Sequence, residues 1–543
     1  MSDTPLQLAA QGILAYHDRT AHRFQAYARG PETLDWDAQP APFRHFAGSP
    51  SVALPRLGTG AASPAARALD RPFAELGGGP AVALDLASLG FFLQLSLGLT
   101  AWKQLGPDRW AVRANPSSGN LHPLEAYLLI EGLAGLTDGL YHYRAEDHAL
   151  ELRAALPAPA GITPRVLVGL SSVMWREAWK YGERAFRYCQ LDVGHGMAAL
   201  GMAARALGWG LEEGRQWGHG DLARLLGLDR SQDFPASPRP DVEREEPEAV
   251  LLLWPAGAKS PGVPGALPEG LAAASWLGQA SSIDPHPFFR WPVVDQVAGL
   301  TRRVGPWADE TAAVRQRGAP LTGQAPVREV IMGRRSAQRF DPARTLTAGE
   351  FEALLGATLP GGALPWAGLV GADRLNLMVY VHRVEGYPAG IYFLERVTGS
   401  AADFLARVGM GLQPVKIDAA RGLALWQLGE AEPVALRRLV RSLHCHQDIA
   451  ATACLALGMV APLEEIVRRD PAAYRDVHRE AGVIGQMLYL QAEALGLRGT
   501  GIGCYFDGPV MEAVGMGGGP YRTVYHFTVG AALADSRIET LPA

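Results

Sequence analysis

Three short stretches hold the residue types that could do chemistry. The first is "GRRSAQRF", Gly333 to Phe340, where Arg334, Arg335, Ser336 and Arg339 crowd about one helical turn. Guanidiniums beside a hydroxyl suit a phosphate, because arginine offers planar bidentate donors and keeps its charge. A solvated basic face is the other reading of the same residues. The second is "RANPSSGNLHPLEAYLLI", Arg113 to Ile130, a turn cluster that runs straight into an apolar strand. Pro, Ser, Gly and Asn are ordinary turn residues; they equally make a cradle for a ligand rich in hydrogen-bond acceptors. The third, "GTGIGCYF", Gly499 to Phe506, reads as a Gly-rich connector between a helix and a strand. Cys504 within it reads as a packing residue rather than a redox thiol, since nothing in the sequence spaces it to a partner. No metal is expected: "HCHQD", His444 to Asp448, with Cys454, lacks the second ligand pair of a zinc site. His195, in "DVGHGM" on an apolar helix, reads as a core histidine. No G-x-G-x-x-G lies between a strand and a helix with an acidic residue beyond it, so a dedicated dinucleotide-binding domain has no support.

The elements that must position these stretches occur twice. "EAYLLIEGLAGLTDGLYHY" (Glu125 to Tyr143) and "NLMVYVHRVEGYPAGIYFL" (Asn376 to Leu394) align without a gap, each an apolar β-rich run, a turn, then Gly and a second aromatic-bearing strand. Both are expected as β-hairpins. "GMAALGMAARALGWG" and "IGQMLYLQAEALGLRG" are apolar helices ending in Ala-Leu-Gly, with Gly208 and Gly496 as C-terminal stops. "AVLLLWPAG" and "TVYHFTVGA" then read as closing strands. Three matched elements in one order argue for duplication, so each half is expected to be α+β, with helices around a mainly antiparallel sheet and one long central helix. The expected boundaries are 1–258 for a first domain with an N-terminal extension, 259–326 for an irregular Pro/Gly-rich connector, and 327–543 for a second domain. Near the start of the latter, Thr347 with Glu350 three residues on is a capping box.

Composition narrows the class. The 543 residues suit two domains, and 48% hydrophobic with 19% charged residues suits packed cores. A net charge of −5 without a Lys/Arg run gives no nucleic-acid surface, and four cysteines make no disulfide framework. The first twenty residues lack the marks of a signal peptide, so a cytoplasmic location is expected. "LASLGFFLQLSLGLTAW", Leu86 to Trp102, is uncharged over nearly the length of a membrane span. Its polar and glycine interruptions make a buried core helix the better expectation, and no membrane contact is expected.

The arginine-serine helix start, the Pro-Ser-Ser-Gly-Asn loop and the late Gly-x-Gly together resemble the nitroreductase family of FMN-dependent oxidoreductases. "NPSSGNLHPLEAY" and "WKYGERAFRYCQLDVGH" are similar to the SagB/ThcOx-type branch, which includes azoline dehydrogenases. The resemblance covers most of the chain from about Asp85 to Leu533 and implies two fused nitroreductase-like domains forming an intrachain pseudo-dimer around FMN. It implies that Arg334, Arg335, Ser336 and Arg339 of one half clamp the cofactor, while Pro116, Ser117, Ser118, Gly119 and Asn120 of the other meet its polar atoms. It also implies that Gly501, Gly503 and Cys504 border the flavin ring. Lys180 and Tyr181 match a Lys-Tyr acid/base pair of that branch; an ion-paired helix face of Lys180, Glu183 and Arg187 is the alternative. The second half has no PSSxN and the first no RRSxR, so one FMN site and one degenerate mirror site are expected. The implied chemistry is hydride transfer at the flavin, either azoline dehydrogenation in a modified peptide or NAD(P)H-dependent reduction of nitro or quinone compounds. The other class left open is a non-catalytic flavin-binding or scaffold partner in a peptide-modifying complex.

Overall fold

The computed structural model describes residues 4–58, 63–156, 164–255, 259–307, 318–369, 373–409 and 411–543. Both expected hairpins form: Leu124–Glu131 pairs antiparallel with Gly139–Arg144, and Asn376–Val381 with Gly390–Leu394. Each is part of a seven-stranded antiparallel sheet. From edge to edge the first runs Ser51–Ala53, Ala149–Ala155, Gly139–Arg144, Leu124–Glu131, Arg165–Ser172, Glu246–Trp254, Gly210–Glu213. The second runs Val415–Asp418, Ala424–Glu430, Gly390–Leu394, Asn376–Val381, Leu455–Ala461, Arg522–Gly530, Arg498–Ile502. Hairpin, following strand, closing strand and short edge strand occupy the same places in both. Every residue of Leu124–Glu131 and of Asn376–Val381 is buried, which is why these strands read as unbroken apolar runs rather than as alternation. The fold is α+β, with two like halves.

The central helices, Ala185–Leu207 and Ala473–Ala494, are followed by Gly208 and Gly496 in the left-handed region, at φ 72° and 70°. They cross where each carries a glycine. A Cβ on Gly194 would lie 2.0 Å from the Arg479 carbonyl oxygen, and one on Gly482 would lie 2.2 Å from that of Leu191. Gly194 and Gly482 stand at the same distance before their helix-ending glycines, so the crossing point is shared by both halves. Beside it, buried Arg475 reaches Glu246 and Glu248 at 2.7 Å, and Arg479 reaches Glu248 at 2.7 Å, tying the second helix to the first sheet. Breaking such buried pairs is costly because the remaining charge is left unmatched in low dielectric. One apolar core runs through both halves, from Phe92, Leu128 and Leu200 to Leu377, Ile484 and Phe527.

Three expectations change. The uncharged run is a helix only over Leu86–Ser96; it then turns into a strand, Leu99–Leu105, paired with Asp108–Arg113. No helix among the described residues is long and apolar enough to cross a membrane. The Gly-rich connector is half strand, because Arg498–Ile502 pairs with Arg522–Gly530 as a sheet edge. The stretch 259–326 is more than irregular: Pro292–Leu300 is a helix with Val294, Val297 and Ala298 buried, an apolar i, i+3, i+4 stripe packed on the helix Pro5–Arg19. The expected end of the first domain, 258, lies outside the described residues.

Candidate functional site

A cavity of about 750 Å³ opens between the halves. Its wall takes residues 116–120 from the loop before Leu124–Glu131, Tyr181, Tyr188 and Asp192 from first-half helices, 334–336 from the start of the second half, and 501–504 from the end of the edge strand. All the expected site residues except Lys180 and Arg339 therefore meet on one wall. Arg339 is exposed and lies off it.

The loop is shaped by its own side chains. Ser118 donates to Asp192 Oδ1 from both its amide and its hydroxyl, each at 3.0 Å. Ser117 Oγ accepts from the His122 amide at 2.8 Å, and Asn120 Nδ2 donates to the Ala111 carbonyl at 2.9 Å. These bonds hold the loop, and Ser117, Ser118 and Asn120 line the cavity. Gly119 sits at φ 58°, and a Cβ there would lie 2.5 Å from the Tyr181 hydroxyl. Both its conformation and its neighbour demand glycine. Burial raises the Asp192 carboxyl to about 7 in spite of the hydrogen bonds from Ser117 and Ser118.

The facing wall is cationic. Arg334 crosses to the first half, donating from Nε to the Ala114 carbonyl at 3.0 Å and from Nη2 to that of Arg113 at 2.9 Å. Its buried Nη1 has no hydrogen-bond partner among the described residues, nor does Oδ1 of Asn115 on the same wall. Arg335 is pinned by bonds to Thr100 Oγ1 at 3.1 Å and to the Met332 carbonyl at 2.8 Å. Burial, and then the nearby Arg334 and Arg498, lower its guanidinium to about 10. Burial also lowers Lys103, helped by Arg335 and Arg498. So Lys103, Arg335 and Arg498 gather positive charge on the wall, a field that an anion would relieve. Sequence reasoning missed Lys103 and Arg498, which reach the wall only through strand pairing.

Tyrosines complete the wall. Tyr489 receives the Gly501 amide at 2.9 Å and shares a hydrogen bond with Ser336 Oγ at 2.9 Å. A Cβ on Gly501 would lie 1.8 Å from the Tyr525 hydroxyl, and one on Gly503 would lie 2.3 Å from Tyr188 Cε1; the two glycines make room for these rings. Tyr181 and Tyr188 pack with ring centroids 4.6 Å apart, and burial raises the Tyr181 hydroxyl well above its ordinary range. His195, buried as expected, bonds Tyr525 at 3.2 Å and Gln486 at 3.4 Å. Lys180 is not among the lining residues; its Nζ lies 5.0 Å from the Trp36 ring centroid and 5.4 Å from that of Tyr181. Burial lowers its ammonium. The alternative ion-paired face does not form, for Glu183 pairs with Arg19 at 2.6 Å and Arg187 with Asp507 at 2.7 Å. Beside Lys180, the buried Glu177 carboxyl has no hydrogen-bond partner on either oxygen among the described residues, and burial raises it well above the ordinary carboxyl range.

The mirror position is filled. Where the second central helix carries Tyr489, the first carries Gly201, and a Cβ on Gly201 would lie 2.7 Å from Pro365. Pro365 and the buried Trp366 belong to the segment before Asn376–Val381, seated on the first helix and on the strand with Leu211. The carboxylates that tether the two loops also correspond. Asp192 holds Ser118, and Glu480, at the same helix position, accepts from the Arg374 amide at 2.8 Å.

A Methanocaldococcus jannaschii protein classed as a nitroreductase is 30% identical to this chain over 188 residues, which take in 32% of the chain and 82% of that protein. The chain belongs to the nitroreductase family. Its class is accordingly that of an oxidoreductase. The crystal structure of an Anabaena variabilis ATCC 29413 protein, also classed as a nitroreductase, superposes over 96% of this chain and 99% of its own, with a TM-score of 0.68 at 21% identity; this nitroreductase fold therefore includes both halves. The trifolitoxin-processing protein TfxB of Rhizobium leguminosarum bv. trifolii is 32% identical over 117 residues, which are 19% of this chain and 31% of TfxB. No family model matches the chain. The wall suits a ligand with an anionic end, for it holds clustered cations and, among the described residues, an unpartnered Arg334 Nη1 and Asn115 Oδ1.

Proposed function

We propose that this chain is an FMN-dependent oxidoreductase built of two fused nitroreductase-like domains, 1–258 and 327–543 joined by 259–326, with one flavin between them. The observation that carries the reading is the cavity wall itself, which draws cations from both halves and its polar loop from the first half only. Arg335, Lys103 and Arg498 hold the phosphate. The 116–120 loop, Gly501 and Gly503 border the ring system, and Cys504 closes that edge. When bound, FMN supplies two-electron chemistry by accepting or donating hydride at N5.

The chain's own residues supply the rest. The Tyr181 hydroxyl, kept protonated by burial, would donate a hydrogen bond from Oη on the cavity wall to the substrate, while the proton that azoline dehydrogenation releases with the hydride would pass to solvent water. Lys180 acts through Tyr181 as a positioning residue, since its Nζ lies 5.4 Å from that ring's centroid. Arg339 lies off the wall and has no part in the clamp. The substrate class favoured is a modified peptide whose azoline is dehydrogenated, supported by the likeness to a trifolitoxin-processing protein. A nicotinamide-driven reduction of nitro or quinone compounds is the other arm of the test.

Flavin released from purified protein should amount to about one FMN per chain, because the mirror position is filled by Pro365 and Trp366. Two per chain overturns the single-site reading, and protein that cannot be loaded with FMN overturns the whole. Bleaching of the loaded protein by NAD(P)H selects the reductase arm. Bleaching by an azoline peptide selects the dehydrogenase arm, and neither response selects a non-catalytic scaffold.

A further inference from the structure

Cys445 and Cys504, far apart in the chain, lie near each other. The Phe506 amide donates to the Leu443 carbonyl at 2.9 Å, and Gln447 Nε2 donates to the Cys504 carbonyl at 3.1 Å. These two bonds join the turn that carries Cys445 to the segment that carries Cys504, bringing the two cysteines near each other; a disulfide needs Cβ atoms about 3.5–4.5 Å apart. The two thiols are near enough for each to shift the other's ionisation. Cys445 and His446 both lie in the left-handed region, at φ 51° and 61°, a turn that L-residues adopt at a cost. Neither cysteine is fully buried, unlike Cys189 and Cys454, and Cys504 lines the cavity.

A histidine serves the same sulfur. The Ala28 amide donates to His22 Nδ1 at 2.8 Å, which leaves Nε2 as the protonated nitrogen, and the His22 side chain lies near enough to Cys504 to lower its thiol. We propose that Cys445 and Cys504 are an exchange-active dithiol that closes to a disulfide on the cavity wall, with small-molecule disulfides as the oxidant. Cys504 thiolate attacks one sulfur of the external disulfide, forming a mixed disulfide and releasing one thiolate. Cys445, giving its proton to solvent, attacks Cys504 Sγ, closing the internal disulfide and releasing the second thiolate. Two protein thiols are oxidised and one external disulfide is reduced to two thiols. The neighbouring Cys445 and His22 lower the Cys504 thiol to about 5, so Cys504 is the attacking partner, while Cys504 and burial push Cys445 up. Closure would fasten the edge-strand wall, at Gly501 and Gly503, to the turn after helix Pro433–Leu443. This activity does not depend on flavin.

The full-length protein, equilibrated with mixtures of reduced and oxidised glutathione, blocked with iodoacetamide and digested, tests it by mass spectrometry. Oxidising mixtures should yield a Cys445–Cys504 linked peptide that reduced glutathione reopens. Under the same mixtures Cys445→Ser should carry glutathione on Cys504. In the reduced protein, Cys504 alkylation should change by less than about twofold between pH 8 and pH 6, whereas a thiol of ordinary pKa loses roughly 75-fold of its thiolate over that range. Free, alkylated Cys445 and Cys504 in wild-type protein at the most oxidising mixture would overturn the proposal. So would a glutathione adduct on wild-type Cys504 without the internal link, or an alkylation rate that falls like that of an ordinary thiol.

Discussion

Replacing Asp192 with Asn should make the protein's stability less sensitive to pH, and the structure sets the size of the change. Asp192 is 1% exposed, and burial lifts its carboxyl to about 7 from an ordinary 3.8. A group whose folded pKa lies above its unfolded value binds more protons in the folded state, so its stabilisation is complete below about pH 4 and is lost as pH rises through 7. At about 1.4 kcal/mol per unit, the loss between pH 5 and pH 8 comes to roughly 2.5 kcal/mol. Asn keeps an Oδ1 to accept from the Ser118 amide and hydroxyl, so the loop survives while the titration is removed. Urea unfolding of wild type and Asp192→Asn at pH 5, 6, 7 and 8 reads the difference directly, because every other titrating group cancels between the two. The variant should gain on wild type by about 2.5 kcal/mol from pH 5 to pH 8, with most of the gain below pH 7. A pH-independent difference, or a gain as pH falls, would refute the assignment of a protonated carboxyl under the loop.

Arg335→Ala should weaken FMN binding about ten- to hundredfold in a flavin titration, since a charge-assisted contact is worth about 1.5–3 kcal/mol, whereas the exposed Arg339→Ala should leave it unchanged. Gly482→Ala should lower the thermal midpoint by opening the helix crossing at Leu191, with an overpacking cost of about 1–3 kcal/mol; wild-type stability in that variant would mean the helices do not cross there. Tyr181→Phe should stay yellow and slow the substrate half-reaction by about 10²–10⁴-fold, with a smaller effect from Lys180→Ala, which acts through the Tyr181 ring. Equal loss from both would place Lys180 on the reacting atoms.

Much of the fold was legible because the chain states it twice. The hairpins at Leu124 and Asn376 and the helices stopped by Gly208 and Gly496 are local signals, and local signals survive into the structure. The site was legible where its residues sit in one stretch, as in the loop around Ser118 and the turn around Arg335. It was not legible where strands bring partners together: Lys103 and Arg498 belong to separate strands, and nothing in either stretch foretells a common wall. Roles inside a legible motif were also hidden. Ser118 reads as a ligand donor until Asp192 is found to accept both of its donors, and Cys504 reads as packing until Cys445 is found near it. Asp192 could have been noticed from the repeat alone, since Glu480 fills the same helix position.

Gly201 and Tyr489 occupy one position in two copies of a single plan. In an assembly of identical subunits, any substitution appears at every equivalent place, so a side chain that blocks one cleft blocks its twin. Within one polypeptide each copy is inherited as a separate locus and drifts alone. Pro365 and Trp366 can then turn one cleft into a buttress while Tyr489 keeps the other open, and changes in substrate preference can accumulate at the open cleft without being tolerated twice.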